Sequence, residues 1–551
     1  MSGDNAAKLV VKCLEARGVK YVFGIPGAKI DAVFEALEDS SIELIICRHE
    51  QNAAFMAAAY GRITGTPGVV LVTSGPGVTN LATGLLTATT EGDPVVAIGG
   101  NVPRNMSLKE SHQNTNNVLA MKSVTKLSVE VTVPENIPEV IANAFRMARA
   151  PRSGACFISL PQDVLAESTD AAVIPPMKKV SYGAAHPETI QAAATLINQA
   201  KFPVLLLGEE ASRPENTTAI RALLTKTHLP VVSTFQAAGV VSRELVSCFA
   251  GRVGLFRNQP GDQLLAKADL VITIGLNLVE YDPEVWNASC KKTVIHIDYI
   301  PAKIHEGYQP QYELLGSIDA NISTLKNLLN EEMVARNQNN VKPFYDAYQN
   351  IILSRHTSRN NLMHPLHFIH QLRNVIDDDT MVICDIGTIY MWMARYFLSY
   401  QPHHLLFSNG QQTLGVGLPW AMAARFAYPH KRIISMSGDG GFLFSAMELE
   451  TAVRNKQHFI HFVWRDGSYD MVKEQELMKY KREAGVKFGK VNLVDFAKAF
   501  GAKGYELEHP DQFEQIFAEA SKQTVPVLID IPIDYSDNPE LFKAGYPDTN
   551  Q

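Results

Sequence analysis

Two short apolar runs in the C-terminal third of the chain each end in a carboxylate followed by glycine. Arg432-Ile433-Ile434-Ser435-Met436 leads into Ser437-Gly438-Asp439-Gly440-Gly441-Phe442, and His458-Phe459-Ile460-His461-Phe462-Val463 leads into Trp464-Arg465-Asp466-Gly467-Ser468-Tyr469. Apolar runs of this length closed by glycine turns read as buried strands. Asp439 and Asp466, 27 positions apart, therefore stand at two strand ends of a parallel sheet, with a stretch of helical periodicity at 446–453 between them. Glycine lets the backbone approach an anion closely, and a helix N-terminus offers free N–H groups to a phosphate. Two carboxylates with a loop carbonyl are hard oxygen ligands, suited to Mg²⁺ holding a diphosphate. A single Asp-Gly is most often only a turn; the pair, each member at a strand end, carries the signal.

The rest of the chain repeats the same alternation. An amphipathic segment at 6–17 precedes the strand Tyr21-Val22-Phe23 and the turn Gly24-Ile25-Pro26-Gly27, and further strands are expected near 43–47, 69–72 and 95–98. Strands separated by helix-length segments imply a parallel sheet covered on both faces. A proline-containing polar stretch at 168–187 reads as a linker, and a second, rich in Asn and Gln, is expected at 330–361. Three doubly wound α/β domains result, at 1–167, 188–330 and 363–551. The middle one could carry a dinucleotide with Asp298 near a ribose. No GxGxxG opens a helix there, so a structural role is favoured.

Bulk properties narrow the function class. The 551 residues are 46% apolar and 19% charged, as in ordinary globular enzymes. A net charge of −7 with no basic block argues against nucleic acid or an anionic membrane as partner. The six cysteines are scattered without CxxC spacing, and no apolar leader or membrane-length run occurs, so a cytoplasmic protein with reduced thiols is expected. His364, His367 and His370 suggest a metal cluster, but on a helix the third turns away from the first two.

The paired Asp-Gly turns resemble the diphosphate–Mg²⁺ motif of thiamine-diphosphate enzymes, with Asp at 466 where the usual motif has Asn. Further segments make the resemblance specific to the acetolactate synthases, nearer their catabolic, flavin-independent branch. They are Phe23 to Ile30, Arg48-His49-Glu50-Gln51, Thr73 to Asn80, Ser111-His112-Gln113, Gly251 to Asp262, and Phe407 to Gly415. The resemblance implies a pyrimidine-binding first domain and a diphosphate-binding last one. Asp439, Asp466 and the Ser468 carbonyl would hold Mg²⁺. Glu50 would exchange a proton with the aminopyrimidine, which then generates the ylid. Gly75, Gly387, Thr388, Gln412, Gly440, Gly441, Tyr469 and Met471 fall at cofactor-binding positions, and Leu414 where a large apolar side chain supports the bent cofactor. Lys29, His112, Gln113 and Gln475 match positions lining the substrate pocket. FAD is not expected.

On the same basis, pyruvate would be both donor and acceptor. One molecule loses CO₂ to give a hydroxyethyl enamine, which attacks the second to form 2-acetolactate. The assembly implied is a homodimer or homotetramer whose sites lie at subunit interfaces, Glu50 coming from one chain and Asp439 from the other. A simple keto-acid decarboxylase is the near alternative, disfavoured because Gln113 cannot act as a general acid as a second histidine would. A FAD-containing acetohydroxyacid synthase or pyruvate oxidase also stays open. A non-catalytic or regulatory protein is disfavoured by the presence of both Glu50 and Asp439.

Overall fold

The computed structural model describes residues 5–255, 259–354 and 359–542. Phe256, Arg257 and Asn258 of the segment quoted above, and 543–551 of the last block, lie outside the described residues. Among the described residues the strands form three six-stranded sheets, and the pairings are parallel throughout. The first has the order Glu43–Ile46, Tyr21–Ile25, Gly68–Val72, Val95–Asn101, Ala155–Pro161, Leu127–Glu130. The last repeats it with Leu405–Leu406, Met381–Cys384, Ile433–Gly438, Ile460–Arg465, Val527–Pro532, Lys503–Glu506. Inner strands such as Gly68–Val72 and Ala155–Pro161 are buried along their whole length, which is why they read as unbroken apolar runs rather than alternations.

The middle sheet differs. Its order, Tyr312–Leu315, Thr293–Asp298, Leu270–Ile274, Pro203–Leu207, Val231–Ser233, Phe249–Arg252, is that of a dinucleotide-binding fold. Its switch point, between Leu270–Ile274 and Pro203–Leu207, is occupied by protein side chains. Glu209 and Glu210 are buried there, and Arg152 of the first domain donates to the Leu276 carbonyl. Arg152 also pairs with Asp298 at 3.4 Å, so the strand-end carboxylate has a protein partner.

Within the expected linker at 330–361, of which 355–358 lie outside the described residues, the residues Met333–Leu353 form a helix packed on the protein. Its buried positions Met333, Asn337, Val341, Phe344 and Tyr348 recur every three or four residues, and the Tyr348 hydroxyl donates to the Arg395 carbonyl at 2.7 Å. Polar residues fill the other face of the helix and mask the period.

The first and last domains share a core. Helix Glu50–Thr64 packs against Gly417–Ala427, and Arg62 lies 4.5 Å over the Trp420 ring. His364 caps the helix Pro365–Val375, accepting from the Leu366 amide while its Nε2 faces Asp537. That arrangement is structural.

Candidate active site

Three carboxylates stand at the C-terminal ends of three neighbouring strands of the last sheet: Asp385 after Met381–Cys384, Asp439 at the end of Ile433–Gly438, and Asp466 after Ile460–Arg465. Chain reversal there leaves backbone amides facing the carboxylates. Asp439 accepts from its neighbour Gly440 at 3.1 Å and from Gly467 at 2.8 Å, which locks the two Asp-Gly turns together. Asp466 accepts from the Ser468 hydroxyl. Burial raises the Asp439 carboxyl above its ordinary range. Burial, followed by the like charges of Asp470 and Asp439, pushes Asp466 up to about 7.

Asp439, Asp466 and Asp470 thus repel one another, and such crowding of acidic groups is eased when a cation lies between them. Lys473, paired with Asp470, brings its ammonium within 3.8 Å of Asp466. The extra charge of Asp in place of the usual Asn thus has a positive neighbour. A cavity of about 430 Å³ runs beside the turns, lined by Asp439, Asp466, Gly467, Leu443 and Phe488 among others. That volume lies within the range of small-ligand pockets, about 300 to 1,000 Å³.

The neighbouring expected residues assemble around these turns. Gly440 lies under the Tyr469 ring, so closely that an added Cβ would sit 2.7 Å from Cε1. Gly441 lies beneath Leu414, whose Cδ2 would be 3.6 Å from such a Cβ. Gly387, at φ 137°, opens the helix Thr388–Tyr396, and the Thr388 hydroxyl donates to Asp470 at 3.0 Å. Gln412 is in the left-handed region at φ 49°. Met471 is half-buried against the core, and Gln475 is half-buried on the helix Asp470–Tyr480.

Asp385, not singled out from the sequence, organises these loops. Its fully buried carboxylate accepts from Ile386 at 2.7 Å and from Gly415 at 3.0 Å, and burial pushes its pKa up to about 7. Its signal was legible, since Val382-Ile383-Cys384-Asp385 is a third apolar run ending in a carboxylate.

A second group of expected residues gathers in the first domain. Glu50 opens its helix and accepts a 2.8 Å hydrogen bond from Asn80, another residue not singled out before. Gly77 leaves room beside it: a Cβ there would lie 3.6 Å from Glu50 Oε1. Gly75, at φ 57°, abuts Gln113, and the Ser74 hydroxyl donates to Gln113 Oε1 at 3.5 Å. His112 is exposed on the adjoining loop, and Lys29 donates to Gln162 Oε1 at 3.4 Å. Neither is brought against Glu50 by a hydrogen bond or ion pair among the described residues. No hydrogen bond or ion pair joins Glu50 and Asp439 either, among the described residues.

Comparison with known proteins matches all three domains. Residues 4–121 fit the thiamine pyrophosphate enzyme N-terminal TPP binding domain, 190–328 the central domain, and 385–531 the C-terminal TPP binding domain. The chain is 50% identical over 548 residues to an acetolactate synthase of Bacillus subtilis, covering 99% of this chain and 96% of that relative. It is 44% identical to the catabolic acetolactate synthase of Raoultella terrigena, over 98% of this chain and 96% of the relative. The large subunit of acetolactate synthase isozyme 2 of Escherichia coli is 30% identical, over 97% and 96%.

Proposed function

The chain belongs to the acetolactate synthase family of thiamine pyrophosphate enzymes, and from that premise we propose that it condenses two pyruvate molecules into 2-acetolactate with release of CO₂. The observation that carries this reading is the pair of half-buried Asp-Gly turns joined through Asp439 and Gly467, in a chain that aligns along 99% of its length with an acetolactate synthase. Asp439, Asp466 and the Ser468 carbonyl hold the divalent cation. Gly387, Thr388, Gly440 and Gly441 bind the diphosphate through backbone amides, and Gln412, Leu414, Tyr469, Met471 and Gly75 line the rest of the cofactor.

When bound, thiamine diphosphate supplies the carbanion equivalent that lets a keto acid lose CO₂ and attack a second carbonyl. The chain's own residues bind, orient and move protons. Glu50, held by Asn80, gives and takes back a proton at the aminopyrimidine ring. Leu414, packed over Gly441, would support the cofactor with its apolar side chain. Gln113 and Gln475 orient substrate, with His112 and Lys29 at the pocket's edge. The acceptor's carboxylate survives the reaction, so neutral donors such as Gln113 suit both substrates. A firm cationic grip on the donor's carboxylate would oppose its loss.

The working assembly in this reading is a homodimer, or a tetramer of dimers, with Glu50 and Asp439 of each site coming from different chains. The apolar side chains left exposed around the turns support it: Leu443, Phe444, Met447, Tyr469 and Val472 are 36–46% accessible. Free cysteines support a reducing, cytoplasmic setting, and no helix among the described residues is long and apolar enough to cross a membrane.

The test is a product assay with pyruvate, thiamine diphosphate and Mg²⁺, without flavin or electron acceptor, since the condensation is redox-neutral. Acetolactate as the main product is expected. Mostly acetaldehyde would make the protein a decarboxylase, and turnover only after FAD is added would return a nucleotide to the middle domain.

A further inference from the structure

Glu448 is a fully buried carboxylate, and among the described residues no cation pairs with it. It opens the helix Glu448–Arg454, nine positions after Asp439. Its side chain nevertheless works across the domain boundary. Oε1 accepts from the amides of Arg48 at 2.9 Å and His49 at 3.1 Å, and from Asn52 Nδ2 at 3.1 Å. Oε2 accepts from Thr451 at 2.7 Å. His49 is the N-cap of the helix that Glu50 begins, and its own side chain accepts from the Gln51 amide. The carboxylate therefore sits on the axis end of a 15-residue helix, where the helix dipole favours a negative charge.

These contacts fix the turn on both sides of Glu50. A carboxylate that must meet a cofactor atom loses effect when displaced by about 1 Å. Without Glu448 the amides of Arg48 and His49 would be left without their acceptor at a part-buried boundary, and the turn would relax. We propose that Glu448 is a positioning residue for Glu50. In the same chain it links the Glu50 turn to the segment that carries Asp439. Under the two-chain site proposed above, on which this inference rests, those two belong to different active sites. A change at Glu448 therefore acts on the site completed by the partner.

Three variants separate the possibilities. Glu448→Gln keeps an acceptor oxygen for both amides. Glu448→Asp keeps the charge at the start of its own helix but draws the carboxylate back by one methylene, and Glu448→Ala removes it. Two readouts are used: amide hydrogen exchange of the segment 46–53 in the cofactor-free protein, and deuterium exchange at C2 of bound thiamine diphosphate. The Asp and Ala variants are expected to exchange the Arg48 and His49 amides at least tenfold faster. They should also slow C2 exchange by at least tenfold, with pyruvate KM within about twofold. Glu448→Gln should stay within about threefold of wild type in both. A folded Asp or Ala variant with wild-type C2 exchange overturns the proposal. Failure of both to fold also overturns it, by making the contact a requirement of the fold rather than of Glu50. If the wild type itself does not accelerate C2 exchange, the thiamine-dependent reading fails instead.

Discussion

The Asp439 carboxylate accepts a 2.8 Å hydrogen bond from the Gly467 amide, so the first Asp-Gly turn is held directly by the second. Neither turn has its shape independently of the other. Replacing Asp439 with Ala removes the proposed cation ligand and frees the Gly467 amide together. We expect Mg²⁺-dependent retention of thiamine diphosphate to fall by more than about 100-fold, since outer-shell partners of a metal alone are worth 10- to 100-fold. Equilibrium dialysis of the cofactor with and without Mg²⁺ measures this; retention matching the wild type would remove Asp439 from the site.

Glu50→Gln isolates a proton rather than a shape. The amide oxygen of Gln can still accept from Asn80, so the helix start should keep its geometry and stability should change by less than about 1 kcal/mol. Loss of a general acid–base group costs about 10²- to 10⁴-fold in kcat. A variant with normal unfolding and near-normal turnover would show that another group exchanges the proton.

The parts of this site that lie close in sequence were legible from it, and the parts that depend on packing were not. Apolar runs ending in Asp-Gly mark strand ends because burial on both faces of a parallel sheet removes polar alternation. Asp439 and Asp466 announce themselves in that way, whereas Glu50 is picked out only through the family resemblance. Asp385 uses the same signal, but its partner Gly415 is 30 positions away and its role appears only once the loops meet. Glu448 pairs with amides 400 and 399 positions away, a distance at which sequence spacing carries no information. The helix Met333–Leu353 was hidden for another reason. Its apolar stripe is narrow, Asn337 is one of its buried positions, and Pro343 interrupts its backbone bonding.

Arg62 ties the first and last domains through charge in a buried place. It reaches Asp93 at 2.6 Å, Glu91 at 3.3 Å and the Phe407 carbonyl at 2.8 Å, and it covers the Trp420 ring. Arg62→Met keeps bulk over the ring but takes the cation from two buried carboxylates, of which Glu91 retains Gln236 and the Gly410 amide as donors. Breaking a buried pair by removing one partner costs about 3 to 5 kcal/mol. Denaturant unfolding should show a loss of that order, and a loss under about 1 kcal/mol would mean the carboxylates had other compensation.

Stability should also carry a pH signature from Glu280, buried where the middle domain meets the others. It accepts from the Thr234 hydroxyl at 2.8 Å and from the Gln236 amide at 3.0 Å, and burial pushes its carboxyl up to about 7 from an ordinary 4.5. The folded protein then binds a proton that the unfolded chain releases between about pH 4.5 and 7. A carboxyl raised in this way favours the fold below pH 4.5, and that contribution is lost as pH rises through the folded value. A shift of this size corresponds to about 3 kcal/mol. Glu280→Gln, which resembles the protonated acid, cannot titrate. The stability of the wild type relative to the variant should therefore decline by an amount of that order between pH 5 and pH 8, read from urea unfolding at intervening pH values. Parallel curves for the two proteins would show that Glu280 is already ionised in the fold at pH 5, with the Thr234 and Gln236 bonds outweighing its burial.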